Sequence, residues 1–94
     1  MNLDLQKQIK TVALSVLPTG FKLGLFGSRV KGLPSEFSDV DLAVMGEKKA
    51  SGHILENLRE AMEQSRLPYR VDVVDLNSVL ETFRENVLKE IIWL

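Results

Sequence analysis

The chain has no cysteine, and only one histidine, one tryptophan and one tyrosine among its 94 residues. Without cysteine there can be no disulfide staple, no thiolate nucleophile and no Cys-ligated zinc or iron–sulfur centre, and an intracellular setting is permitted. Neither sign of charge dominates: 12 Lys+Arg stand against 13 Asp+Glu, a formal net charge of −1. General nucleic-acid binding needs a basic face that displaces counterions, so no such binding is expected. No apolar run approaches the roughly 20 residues of a membrane span. The start, Met1-Asn2-Leu3-Asp4-Leu5, carries an acid where a secretory leader carries positive charge. With 45% hydrophobic and 27% charged residues, the composition is that of a folded globule rather than a disordered chain. The expectation is one domain spanning residues 1–94, cytoplasmic, with no membrane association.

The hydrophobic pattern divides the chain. Leu5, Ile9, Val12 and Val16 recur at helical spacing over 3–16, and Pro18-Thr19-Gly20 ends that helix. Phe21, Leu23 and Leu25 alternate against Lys22 and Gly24 as a strand does, running to Phe26. A glycine-flanked segment, Gly27 to Gly32, and a loop over Leu33 to Ser38 lead to a second strand at Val40–Met45. Ile54, Leu55, Leu58, Ala61 and Met62 form a helical stripe closed near Pro68, and a third strand spans Tyr69 to Val74. Ser78 and Glu81 stand in capping-box spacing ahead of Leu80, Phe83, Val87 and Ile91, which predicts a last helix. The fold class is therefore α+β (mixed α/β). A small three- to four-stranded mixed sheet is packed by helices on one face, and its other face is left for a site.

Three acids carry the chemical signal. Asp39 and Asp41, two apart on a strand, point the same way, about 6.6 Å apart along it. Val40 and Leu42 fix that direction by pointing into the core. Two carboxylates brought to ~5 Å repel by about 3 kcal/mol at an effective dielectric near 20, so a protein that builds the pair on purpose fills it with a cation. Hard oxygen donors select magnesium or manganese over zinc. In Val71-Asp72-Val73-Val74, Asp72 faces away from Val71 and Val73. If this strand lies beside Val40–Met45, the third carboxylate completes a triad able to hold two ions. The plainer alternative differs by residue. An Asp-x-Asp pair alone is more often turn and solvent, and Asp39 can be only a turn residue. Asp41 and Asp72, inside apolar strands, need a partner or a wet face. Asp75 reads as a turn residue and His53 as a surface histidine. Tyr69 and Arg70 show no special role.

The glycine segment supplies a second half. A strand passing through Gly27-Ser28 into a helical turn offers backbone N–H groups as a phosphate cradle, with the Ser28 hydroxyl as a further donor. Arg29 and Lys31 can pair with phosphate oxygens, though Lys31 serves equally as a solvated surface residue. Gly-Ser alone is a weak signal, and the Gly-Lys-Ser/Thr ending of a Walker loop is missing. A cradle a few residues ahead of paired carboxylates is nevertheless the layout of a nucleotide–metal site.

Gly27-Ser28-Arg29-Val30-Lys31-Gly32 followed by Ser38-Asp39-Val40-Asp41-Leu42 resembles the signature of the polymerase-beta-type nucleotidyltransferase superfamily, in its minimal (MNT) branch. Val30 and Lys31 depart mildly from the Ala and Arg often found in that branch. The resemblance implies a single nucleotidyltransferase domain with a polymerase-beta palm-like fold. It also implies transfer of a nucleoside monophosphate, usually AMP from ATP, with pyrophosphate leaving. By that likeness Gly27, Ser28 and Arg29 hold the triphosphate and Asp39 and Asp41 bind both Mg2+ ions (Mn2+ in their place is possible). Asp72 ligates one ion and helps deprotonate the acceptor hydroxyl.

Larger relatives carry extra domains that grip an acceptor, and 94 residues leave little for one. The acceptor is then expected on another chain. The branch implies a HEPN-family helical toxin as partner, this chain as its antitoxin, and AMP placed on the toxin's tyrosine. The apolar Ile91-Ile92-Trp93-Leu94 is compatible with a partner or homodimer interface. It is equally compatible with a helix end that packs Ile91 inward and leaves Trp93 partly exposed. The competing function is a catalytically idle antitoxin, a binding module that neutralises by contact. A third, transfer to a small molecule such as an aminoglycoside, needs a pocket this length scarcely allows.

Overall fold

A computed structural model describes residues 3–27 and 40–94. Its elements run α1 (Leu3–Leu14), β1 (Lys22–Phe26), β2 (Val40–Met45), α2 (Gly52–Gln64), β3 (Val71–Asp75), α3 (Glu81–Glu90) and β4 (Ile92–Trp93). The strands form one mixed sheet in the order β3-β2-β1-β4. β1 is antiparallel to β2 and β4, and β2 is parallel to β3. The parallel pair requires a crossover, which α2 provides. Among the described residues, no helix is long and apolar enough to cross a membrane.

α1 and α2 cover one face of the sheet. Leu5, Ile9 and Ala13 recur every four residues and bury one stripe of α1, and Leu58 and Met62 do the same for α2. They meet Leu23, Leu25, Val40, Leu42, Val44 and Val73, the inward set of three strands. Ile9, Leu25, Leu42 and Leu58 are fully buried, each contributing about 1.5–3 kcal/mol, so this layer carries most of the hydrophobic stabilisation. α2 starts at Ser51, whose side-chain oxygen accepts from the Ile54 N–H at 3.3 Å.

The opposite face is not wholly left open, as the sequence suggested. α3 lies across its middle. A smaller cluster of Ala43, Leu76 and Val87, joined by Phe26, Met45, Val74 and Ile91, fills the space beneath it. Where the chain leaves α3, Ile91 and Trp93 lie directly over Gly24, which has no side chain: a Cβ there would stand 2.5 Å from Ile91 Cδ1 and 3.1 Å from Trp93 Cε3.

Two expectations at this end of the chain are corrected. The Ser78–Glu81 capping box does not form. α3 starts at Glu81 after Leu80, which makes no side-chain cap bond, while the Ser78 hydroxyl donates to Asp75 Oδ2 at 2.7 Å. A buried carboxylate is the stronger acceptor, and it draws Ser78 into the turn after β3. Leu80 is accordingly exposed rather than part of a buried stripe. Further on, the helix ends at Ile91 and the chain turns into β4. Gly24 pairs with Trp93 and Leu25 with Ile92, and Leu94 N donates to Leu23 O at 2.8 Å. Ile91 packs inward and Trp93 remains 41% exposed, with the Lys22 ammonium 5.6 Å from its ring centroid.

Candidate active site

Backbone register decides where the acids go. Phe26 on β1 is the register partner of Asp41 on β2, and Asp41 is the partner of Asp72 on β3. The three residues form one row across the sheet. Their immediate neighbours Leu25, Leu42 and Val73 are buried under α1 and α2, so strand alternation turns the row to the other face. The next row inward, Gly24, Ala43 and Val74, is the one α3 covers. Asp41 and Asp72 thus lie just beyond the helix, at the end of the sheet where β1 finishes and β2 and β3 begin. The Phe83 ring of α3 meets Phe26 edge-on, with centroids 6.1 Å apart and planes at 83°. This aromatic contact marks the boundary between the covered part of the face and its acidic end.

Gly27 follows Phe26 with φ +91°, in the left-handed region that favours glycine. It stands directly against the Asp41 carboxylate, and a Cβ on Gly27 would be 3.1 Å from Asp41 Cγ. The glycine segment and the acids, separated in sequence, are therefore adjacent in space. Ser28, Arg29 and Asp39, the remaining sequence candidates, lie outside the described residues. Among the described residues no group of three metal-ligating side chains gathers, and the pair Asp41/Asp72 is what the described strands bring together. Two carboxylates abreast on adjacent strands suit a hard divalent cation in the donor chemistry they offer.

Arg70 is the residue that sequence reasoning passed over. Its Nε lies 3.8 Å from Asp72 Oδ1, and its carbonyl accepts the Val40 N–H at 2.9 Å. Arg70 lies just before β3, two residues ahead of Asp72. With side-chain exposures of 78% and 47%, the ion pair is worth less than about 1 kcal/mol. A groove of about 460 Å³ extends from Asp72 past Arg70 and Tyr69 to Arg59, Glu63 and Leu67, so Asp72 is reachable from solvent.

Asp75, by contrast, is 3% exposed and wholly committed to structure. It accepts from Ala50 N at 2.8 Å, Asn77 N at 3.0 Å and Ser78 Oγ at 2.7 Å. Asn77 Nδ2 in turn donates to Gly46 O at 2.7 Å and Lys48 O at 3.2 Å. The sequence reads Asp75 as a turn residue; it is instead the buried last residue of β3, and its carboxylate ties the following turn to the connection between β2 and α2.

Comparison with known proteins gives a consistent result. Residues 21–94 match the family of polymerase beta nucleotidyltransferases. The chain is 38% identical over 81 residues to the probable protein adenylyltransferase MntA of Haemophilus influenzae, covering 86% of this chain and 70% of that protein. A solved structure described as a minimal nucleotidyltransferase superposes with a TM-score of 0.78 at 32% identity, covering 100% of this chain and 97% of that one. A toxin–antitoxin complex crystallised with AMP-PNP gives a TM-score of 0.79 at 25% identity, over 94% of this chain and 70% of the other. The chain belongs to the polymerase beta nucleotidyltransferase family, in its minimal branch.

Proposed function

We propose that this chain is a metal-dependent protein adenylyltransferase, moving AMP from ATP onto a hydroxyl of a partner protein. The acceptor in this reading is a tyrosine of a HEPN-type helical toxin, and the transfer is how the chain acts as antitoxin. The observation that supports it most is the register of Asp41 beside Asp72, with Gly27 against the Asp41 carboxylate. In this reading Asp41, with Asp72 on the next strand, adjoins the start of the candidate phosphate cradle. The name of the Haemophilus influenzae relative and the AMP-PNP in the toxin–antitoxin complex point the same way.

In this reading Gly27, Ser28 and Arg29 hold the triphosphate, Asp39 and Asp41 ligate two Mg2+ ions, or Mn2+ in their place, and Asp72 ligates one of them. When bound, the ions supply charge neutralisation on the phosphates and polarise the bond to the leaving pyrophosphate. The acceptor hydroxyl oxygen attacks the α-phosphorus, its proton passes to the Asp72 carboxylate, and the bond between the α-phosphorus and the bridging oxygen breaks to release pyrophosphate. Asp72 suits this role because its side chain is about half-exposed at the end of the sheet.

The test is to incubate the chain with a cognate HEPN-type partner, ATP and Mg2+, and to measure the partner's mass. A gain of adenylyl units on tyrosine, dependent on Asp41, is the expected result. Neutralisation of the partner with no change in its mass would instead establish antitoxin action by contact alone.

A further inference from the structure

We infer that Gly27 has a second function besides admitting phosphate: it makes the space in which the Asp41 carboxylate sits, and so acts as a positioning residue for the metal site. The inference rests on the reading of Asp41 as a metal ligand. The usual account of a glycine at such a turn is close approach of the backbone to the ligand's phosphates. Here the space a side chain at position 27 would fill is already taken within the protein. A Cβ built on Gly27 would collide with Asp41 Oδ2, and would stand 3.1 Å from Cγ and 3.4 Å from Cβ of the same residue. Asp41 cannot retreat by moving its backbone. It lies in the middle strand of the three, held by pairing to Phe26 on one side and Asp72 on the other, between the buried Val40 and Leu42. Any side chain at 27 must therefore turn the carboxylate to another rotamer or lift the turn off the sheet. Either outcome moves a ligand oxygen, and metal affinity is sensitive to the groups that orient its ligands.

The structure also contains the control. Gly20 has φ +100° and Gly27 has φ +91°, but nothing lies within 4 Å of a Cβ on Gly20. Alanine at either position incurs the same backbone strain; only alanine at 27 crowds a carboxylate. Mn2+ binding is measured on nucleotide-free full-length protein for wild type, G27A, G20A and D41N. The expected result is a dissociation constant raised about tenfold or more in G27A and in D41N, with G20A unchanged. If D41N weakens binding and G27A does not, Gly27 serves phosphate alone and the inference is overturned. Equal weakening in G20A and G27A overturns it too, because strain rather than crowding would be responsible. If D41N has no effect, the assignment of Asp41 as ligand fails first. Should G27A be too unstable to titrate, thermal denaturation of G27A in a D41A background decides. With the carboxylate gone, G27A should lower the melting temperature no more than G20A does, and a larger loss overturns the proposal.

Discussion

Asp41 and Asp72 are register partners on parallel strands, which puts two carboxylates abreast on one face at a strand spacing of about 4.8 Å. The row is completed by Phe26, and the adjacent row is built from Gly24, Ala43 and Val74 under α3. The sheet end therefore concentrates negative charge just beyond the part of the face that α3 covers.

One consequence concerns catalysis. Asp41→Asn keeps the size but replaces one acceptor oxygen with a donor NH2 and removes the charge that a divalent cation needs. Transfer of labelled AMP to the partner protein should fall by at least 100-fold, on the scale of losing one electrostatic contact in a transition state. The circular dichroism spectrum should stay that of wild type. Residual transfer near the wild-type rate would remove Asp41 from the site.

A second consequence concerns stability without metal. Relieving like-charge repulsion at Asp72 offsets loss of the exposed ion pair to Arg70, itself worth less than about 1 kcal/mol. Asp72→Asn should accordingly be as stable as wild type in EDTA, or up to about 1 kcal/mol more stable. Added Mg2+ should then stabilise wild type more than the variant. Urea denaturation with and without the ion checks both halves, and a loss above about 1 kcal/mol in EDTA contradicts the argument.

How much of this was legible in the sequence follows from the range of each interaction. α1, α2, β2 and the outward direction of Asp72 follow from local periodicity, and the bounds of β2 agree residue for residue. Asp41 beside Asp72 needed only the supposition that β2 and β3 are neighbours. β4 was hidden because Val87 and Ile91 keep helical spacing up to the helix end and no glycine or proline announces the stop. The capping box does not form because Ser78 has a stronger partner in Asp75, a contact made only once the turn folds. α3 covering the second face depends on Gly24 meeting Ile91 across 67 positions of sequence, which no local pattern encodes.

The Asp75 cluster should dominate stability away from the acidic end. Three donors converge on this buried carboxylate, one of them, Ala50 N, immediately before the α2 N-cap. Asp75→Ala leaves these donors without an acceptor, at about 1–3 kcal/mol for each one that water cannot reach. A loss of about 2–4 kcal/mol in urea denaturation with an unchanged slope is expected. Asn77→Ala, which removes two bonds to backbone carbonyls of the 46–48 connection, should lose less, about 1–2 kcal/mol.

Gly24 sets how closely α3 can lie on the sheet, and the strain of changing it should be recoverable. A methyl group at this position meets Ile91 Cδ1 and Cγ1 at 2.5 and 2.6 Å and the Trp93 ring at 3.1 Å, all closer than van der Waals contact permits. Because Ile91 is the C-cap of α3 and the next residue enters β4, relief by backbone movement would disturb both elements. Gly24→Ala should therefore destabilise by about 1–3 kcal/mol, the range for overpacking. Ile91→Ala empties the space that the new methyl needs, so the same glycine substitution made in that background should cost measurably less. A double-mutant cycle by urea denaturation gives the coupling directly, expected at about 1 kcal/mol or more for groups in contact. Additive losses would mean that α3 does not rest on Gly24 in solution.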